Sequence, residues 1–209
     1  MHLKIQMKSH SNIPAQCAYL MAALALVATP ALAHATTGVA VGFKSGFIHP
    51  LTGVDHILAM VAVGIWGSQL GLPAIWLLPV TFPLVMSVGG VLGVRGVPIP
   101  GVEIGVAASA VVLGAMILLA ARPPLWVAAI IVGAFAIFHG HAHGAELPHA
   151  ARPLAYGAGF VLSTGLLHLT GISLGSISRW QFGAKVLRAA GAAISVAGFF
   201  LLLALIKGA

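Results

Sequence analysis

Residues 125–143 read LWVAAIIVGAFAIFHGHAH, an apolar run that closes with histidines at alternate positions. Its length matches the ~20 residues that an α-helix needs to cross the hydrocarbon core of a bilayer. Burying an ionisable side chain in that medium is costly unless the group is paired or binds a cation. The run therefore predicts a membrane-spanning helix with a polar site at its carboxyl end.

The composition of the whole chain agrees with this interpretation. Hydrophobic residues make up 60% and charged residues 6% of the sequence, and the mean hydropathy is +1.07. These values are typical of an integral membrane protein whose surroundings are the lipid bilayer. The net charge of +7 does not indicate a nucleic-acid partner, because the basic residues are scattered singly and a polyanion needs a contiguous basic patch.

Apolar segments of similar length recur along the chain, separated by short breaks rich in glycine, proline and charge. We therefore predict an all-α polytopic membrane helix bundle with six transmembrane helices after a cleaved signal peptide. Residues 34–209 would form a single transmembrane domain. The six predicted spans are Thr52 to Leu70, Ile75 to Val94, Glu103 to Ala121, Leu125 to His143, Pro153 to Ile172, and Leu187 to Ile206.

Residues 1–33 have the features of a secretory signal peptide. Lys4 and Lys8 precede a short apolar stretch, and the segment ends in the small residues of Ala31-Leu32-Ala33. Cleavage would make His34 the mature N-terminus and would remove Cys17, the only cysteine. Retention of the segment as an uncleaved first helix is the alternative.

A cleaved signal places the mature N-terminus in the periplasm of a bacterium and the protein in the inner membrane. Six spans then return the C-terminus to the same side. On this topology the start of the first span and the end of the fourth both face outward. Two histidine-rich clusters lie at those ends, HPLTGVDH at 49–56 and FHGHAHGAE at 138–146, so the clusters are expected to meet.

In the second cluster, His139, His143 and Glu146 are spaced to share one face of a helix, and His141 points to the other side. In the first cluster, Pro50 is well placed to open the helix, which would put His49 and His56 two turns apart. Asp55 is either a direct metal ligand or an acceptor that orients the neighbouring imidazole.

Imidazoles and carboxylates without sulfur suit a borderline divalent ion such as Ni²⁺ or Co²⁺, and Zn²⁺ also fits. The set has too much nitrogen for Ca²⁺ or Mg²⁺. We expect no permanent cofactor. The ion would be captured at the outer face by His34 or its free amine and passed to a site formed by His49, Asp55, His56, His139, His143 and Glu146.

Four further residues are assigned to the ion path. Phe82 lies between Pro79 and Pro83, where a broken helix could be gated by an aromatic ring or could be simply kinked. Glu103 is a relay point or a carboxylate favourably placed at a helix N-terminus. His168 is a path residue or a hydrogen-bonding residue of the helix bundle. His141 is the fourth residue assigned to the path.

The two clusters carry a specific resemblance. HPLTGVDH matches the HPxxGxDH signature and FHGHAHGAE the FHGxAHGxE signature of the HupE/UreJ family of nickel and cobalt permeases. The chain resembles this family over essentially its whole length. The resemblance implies a secondary permease that admits Ni²⁺ or Co²⁺ to the cytoplasm, and it implies metal roles for His49, Asp55, His56, His139, His143 and Glu146.

Other functions remain open on the sequence alone. An intramembrane zinc hydrolase would use histidines and carboxylates, although no HExxH motif lies near the clusters. A haem protein with paired histidines and a non-transporting metal sensor or accessory subunit are further alternatives. The GxxxG spacings predict close helix packing, which would also suit an oligomer.

Overall fold

The structure is a computed structural model that describes residues 37–147 and 152–208. Within these ranges every regular element is a helix, which confirms the all-α class. The predicted signal peptide and His34 lie outside the described residues. The helices are α1 Thr37–Thr52, α2 Val54–Leu70, α3 Ala74–Val94, α4 Val102–Leu118, α5 Leu125–Ala145, α6 Pro153–Gly175, a 3₁₀ turn Ser176–Arg179, and α7 Gly183–Lys207.

The helices have the length and hydropathy of a membrane bundle. Among the described residues, α3, α5, α6 with its 3₁₀ extension, and α7 are each long and apolar enough to cross a bilayer. The pair α1–α2 passes the same test only when it is taken as one bent span, and α4 is apolar but shorter. The structure thus supports four or five spans, and the sixth stays a prediction.

The first histidine cluster is arranged differently from the sequence prediction. Pro50 does not open the first span, because it lies in the last turn of α1. Gly53 interrupts the helix, and the chain bends by 80° between α1 and α2. His49 and His56 therefore lie on different helices, and the expectation that they sit two turns apart on one helix is wrong.

Glycines bring α3 and α5 into close contact. A Cβ added at Gly140 would meet the carbonyl oxygen of Met86, and one at Gly144 would meet that of Gly90. Conversely, a Cβ at Gly89 would meet the carbonyl oxygen of Ile137. Small residues at such crossings allow helix backbones to approach closely within a membrane. The GxxxG spacing from Gly140 to Gly144 is thus used for packing inside the chain, and α5 holds its histidines at a fixed depth.

Similar contacts place the remaining helices. Gly114 of α4 packs on Gly191 of α7, and Gly64 of α2 packs on Gly171 of α6. Helix α2 contacts α3, α4, α6 and α7, so it runs through the middle of the bundle. Gly101, with a φ of 71°, is in the left-handed region that favours glycine, and α4 begins directly after it. These contacts bring the first turns of α2 and α4 to the same end of the bundle as the last turns of α5 and α7.

Candidate metal centre

Four imidazoles form a continuous file at that end of the bundle. Nε2 of His49 lies 2.8 Å from Nδ1 of His143, and Nε2 of His143 lies 2.9 Å from Nδ1 of His56. Nδ1 of His56 in turn lies 3.0 Å from Nδ1 of His139. The two sequence clusters, about ninety residues apart along the chain, therefore meet as the outward-facing topology predicts.

The file runs from solvent into the core. The His49 side chain is 34% exposed and that of His143 is 16% exposed. His56 and His139 are buried. On α5, His139 lies one turn deeper than His143, which is a depth difference of about 6 Å. The histidines thus form a path from the surface inward along α5.

The bend at Gly53 explains how His49 joins this file. Because α1 turns away by 80°, its last turn lies beside the start of α2 instead of continuing it. The His49 side chain can then contact His143 of α5, while His56 in the first turn of α2 reaches the same residue from the other side. Spacing along a single helix would not have given this arrangement.

Two groups of potential metal ligands share His143. The inner triad, His56, His139 and His143, has its ligand atoms within 4.8 Å of one another, and so has the outer triad, His49, His143 and Glu146. Nε2 of His143 faces His56, and Nδ1 faces His49. Oε2 of Glu146 lies 3.5 Å from Nε2 of His49 and 3.8 Å from Nδ1 of His143. One imidazole therefore offers a different nitrogen to each triad.

Ser109 fixes the tautomer of His139. Its hydroxyl donates to the carbonyl oxygen of Val106 at 2.6 Å, which uses its single proton. The Ser109 oxygen, 2.9 Å from Nε2 of His139, therefore accepts the N–H of that imidazole. A neutral imidazole carries one N–H, so Nδ1 of His139 presents a lone pair to His56. Ser109 was not identified from the sequence, where nothing connects it to a histidine thirty residues away.

An aromatic side chain closes one wall of the file. The ring centroid of Phe160 lies 4.7 Å from that of His143 and 5.2 Å from that of His56. Tyr156, one turn earlier on α6, lies 6.1 Å from His49 by the same measure. These rings hold the imidazoles by packing. Sequence reasoning missed them as well, because aromatic residues are ordinary constituents of apolar helices.

An open cavity of about 450 Å³ lies outside the file, and the acidic residues of the protein line it. The sequence contains three carboxylates, and Asp55, Glu103 and Glu146 all line this cavity together with His49 and His143. We call it the vestibule. Its formal charge of up to −3 in a chain of net charge +7 attracts cations to the mouth of the file.

The three acids occupy different positions in the vestibule. Glu146 belongs to the outer triad. Asp55 and Glu103 lie in the first turns of α2 and α4, where a carboxylate is favourably placed near the helix N-terminus. Asp55 lines the cavity but belongs to neither triad. The structure thus puts Asp55 beside the outer triad, and it puts Glu103 on the same cavity as both other acids.

The remaining predicted path residues fall into two groups. Phe82 is fully buried, with its ring centroid 5.6 Å from that of His139 and 5.6 Å from that of His168. His141 is directed away from the file, and its Nε2 donates to the carbonyl oxygen of Val97 at 2.7 Å. Phe82 and His168 thus extend the file inward, whereas the structure does not bring His141 to it.

A bundle of apolar helices with two triads of potential ligands, linked through His143, and an acidic vestibule defines a membrane protein with a candidate site for a divalent transition metal. Comparison with known proteins gives the family. The profile of the HupE / UreJ protein family matches residues 22–201, and the chain belongs to this family. It is 47% identical over 180 residues to Protein HupE of Rhizobium leguminosarum bv. viciae, which covers 86% of this chain and 94% of the relative. No solved structure matches the chain.

Proposed function

We propose that the protein is a secondary permease that carries Ni²⁺ or Co²⁺ across the bacterial inner membrane into the cytoplasm. The observation that carries the proposal is the file of four imidazoles that leads from an acidic vestibule to the buried core. The resemblance of both clusters to nickel and cobalt permeases supports the choice of ion, and Zn²⁺ is a further candidate on ligand chemistry.

The inner triad has a geometry close to that of a metal site. Its nitrogens are 2.9 and 3.0 Å apart along the file. Tetrahedral coordination with metal–nitrogen distances near 2.1 Å requires nitrogen separations of ~3.4 Å. The rings need to separate by only a few tenths of an ångström to admit an ion. Both contacts are of hydrogen-bond length and share Nδ1 of His56, so the three imidazoles already converge as a bound cation would require.

Transport would begin with capture in the vestibule. The carboxylates replace part of the hydration shell of the ion and raise its local concentration. The outer triad binds it through His49, Glu146 and Nδ1 of His143, and the inner triad takes it over through Nε2 of the same imidazole. Nitrogen and oxygen ligands allow this exchange because they bind borderline ions less tightly than thiolates do. At the buried end of the file, the Phe82 ring would act as a gate that closes the path.

Uptake of radiolabelled Ni²⁺ and Co²⁺ into proteoliposomes tests the proposal. We expect vesicles with wild-type protein to accumulate the labelled ions. The His143→Ala and Glu146→Gln variants should lose most of that uptake. His141→Ala is the matched control, since it removes a histidine of the same helix that faces away from the file. Phe82→Ala should change the uptake rate while leaving equilibrium binding of the ion nearly unaltered. Binding without flux in the wild type would contradict the proposal and favour a non-transporting accessory protein.

A further inference from the structure

His168 on α6 packs against the Phe82 ring, and Thr164 lies one turn before it on the same helix. We propose that these two side chains form an inner ion-binding station, which takes the ion from His139 when the Phe82 ring moves. This inference rests on the proposed function and adds a second, deeper binding position to it. The two triads described above do not include either residue.

The polar atoms of this pair are buried and unpartnered. His168 is 1% exposed, and neither of its ring nitrogens has a hydrogen-bond partner among the described residues. Thr164 is 0% exposed, and its hydroxyl also lacks a partner within that part of the chain. Buried polar groups in proteins are nearly always paired, because leaving them unpaired costs free energy. Seven buried side-chain nitrogen or oxygen atoms lack a partner among the described residues, and three of them belong to these two residues, which is why we place the ligand at this turn of α6.

The two residues also lie on one face of α6. Positions four apart along a helix are neighbours, so Thr164 and His168 project in the same direction. Phe160 lies one turn before Thr164 on that face and contacts His56 and His143. His168 therefore lies two turns, or about 12 Å, deeper along α6 than the residue that packs against the imidazole file.

Phe82 connects the file with the proposed station. Its ring centroid is 5.6 Å from His139 and 5.6 Å from His168, in edge-like orientations to both imidazoles. The ring of Phe82 thus packs against both imidazoles, and in this proposal its movement opens the way from one to the other. Pro79 and Pro83 lie within α3 on either side of it. Each proline removes a backbone hydrogen bond of the helix, which allows this stretch of α3 to adjust.

The chemistry of the pair suits transient binding. An imidazole nitrogen and a hydroxyl oxygen are ligands for borderline divalent ions, and water molecules would complete the coordination. All three carboxylates of the chain line the vestibule, so the inner station offers only neutral ligands. Its affinity for the ion would be lower than that of the outer triad. An ion held weakly at the station would dissociate from it quickly, so release toward the cytoplasm would not be slowed by tight binding there.

The experiment compares His168→Leu with His141→Leu in proteoliposomes. Leucine fills a similar volume without a ligand atom, and His141 is the histidine that faces away from the file. We expect His168→Leu to bind Ni²⁺ at equilibrium within about threefold of the wild type, because the triads are intact, and to transport it at least about tenfold more slowly. Its thermal unfolding temperature should be equal or higher, since the change removes unpaired polar atoms. Unchanged uptake by His168→Leu would overturn the inference, as would parallel loss of binding and uptake.

A second measurement does not depend on flux. In a Cys17→Ala background, which removes the only native thiol, His168→Cys places a metal-binding thiol at the station. We expect Cd²⁺ to slow its reaction with a methanethiosulfonate reagent at least about fivefold. The same background carrying His141→Cys should show no protection. If Cd²⁺ does not slow the reaction of the thiol at position 168, the proposed inner station is contradicted. Wild-type vesicles that take up neither Ni²⁺ nor Co²⁺ would instead overturn the permease function, and the thiol experiment would still decide on the site.

Discussion

His143 of α5 and His56 of α2 face each other with Nε2 and Nδ1 2.9 Å apart, although they lie 87 positions apart in the sequence. The opposite nitrogen of His143 faces His49 and Glu146. This double role makes His143 the residue through which an ion would pass from the vestibule to the buried triad. It also predicts how strongly the replacement of each histidine of the file weakens metal binding.

Replacement of His143 should be more damaging than replacement of His49. His143→Ala removes a ligand from both triads, whereas His49→Ala removes one only from the outer triad. We expect His143→Ala to weaken Ni²⁺ binding by at least about 100-fold, because even partners outside the ligand set change affinity 10–100-fold. Titration of the purified protein in nanodiscs measures this. Equal losses in the two variants would contradict a shared ligand.

Ser109 should affect metal affinity without contacting the ion. Ser109→Ala frees the Nε2–H of His139 and lets the imidazole change tautomer or rotate. We expect affinity for Ni²⁺ to fall about tenfold. Ser195→Ala is the control, because that hydroxyl also donates to a backbone carbonyl, of Val111, but lies on α7. Equal affinities for Ser109→Ala and the wild type would show that the tautomer is not set by this contact.

The packing of α3 on α5 should be sensitive at Gly140. In Gly140→Ala the new methyl group collides with the backbone of Met86, which cannot yield without moving the helix. We expect a loss of about 1–3 kcal/mol in stability and weaker metal binding, since His139 and His143 move with α5.

Gly133→Ala is the matched control for that substitution, seven residues earlier on the same helix. Its methyl group would meet the side chain of Val85 at 3.8 and 3.9 Å, which is ordinary contact. Thermal unfolding in detergent and Ni²⁺ titration of both variants check the difference. Two variants that unfold alike would show that α3 and α5 are further apart than described.

Glu103 should act on the ion through charge. A divalent cation about 8 Å from one carboxylate in water gains ~1 kcal/mol. Glu103→Gln should therefore raise the Ni²⁺ concentration for half-maximal uptake about fivefold at low ionic strength. The effect should shrink in 1 M salt, where the screening length is about 3 Å. Glu103→Asp keeps the charge and should behave almost like the wild type. A deficit that persists in high salt would instead make Glu103 a direct ligand.

The sequence was informative wherever a single helix carried the pattern. The i, i+4 and i+7 spacing placed His139, His143 and Glu146 on one side of α5 and His141 on the other, as the contacts of these residues show. Composition predicted the helical membrane class. Both inferences depend only on local geometry or on the summed hydropathy of the chain.

Other features depend on how separate helices meet. The 80° bend at Gly53 placed His49 on another helix, and no spacing rule anticipates it, because Pro50 favours a first turn and here lies in a last one. Ser109 and Phe160 join the site only through packing of α4 and α6 on α5 and α2. The gathering of all three acids in one cavity is likewise a property of the assembled bundle.

The central claim is that a divalent ion binds to His143 of α5 together with imidazoles of a neighbouring helix, His49 of α1 in the outer triad or His56 of α2 in the inner triad. X-ray absorption at the nickel edge of Ni²⁺-loaded protein in nanodiscs tests it most directly. We predict one bound ion with only nitrogen and oxygen neighbours at about 2.1 Å, with ring scattering from at least two imidazoles that is lost in His143→Ala. A protein that retains no nickel, or a nickel spectrum without imidazole scattering, would contradict the account.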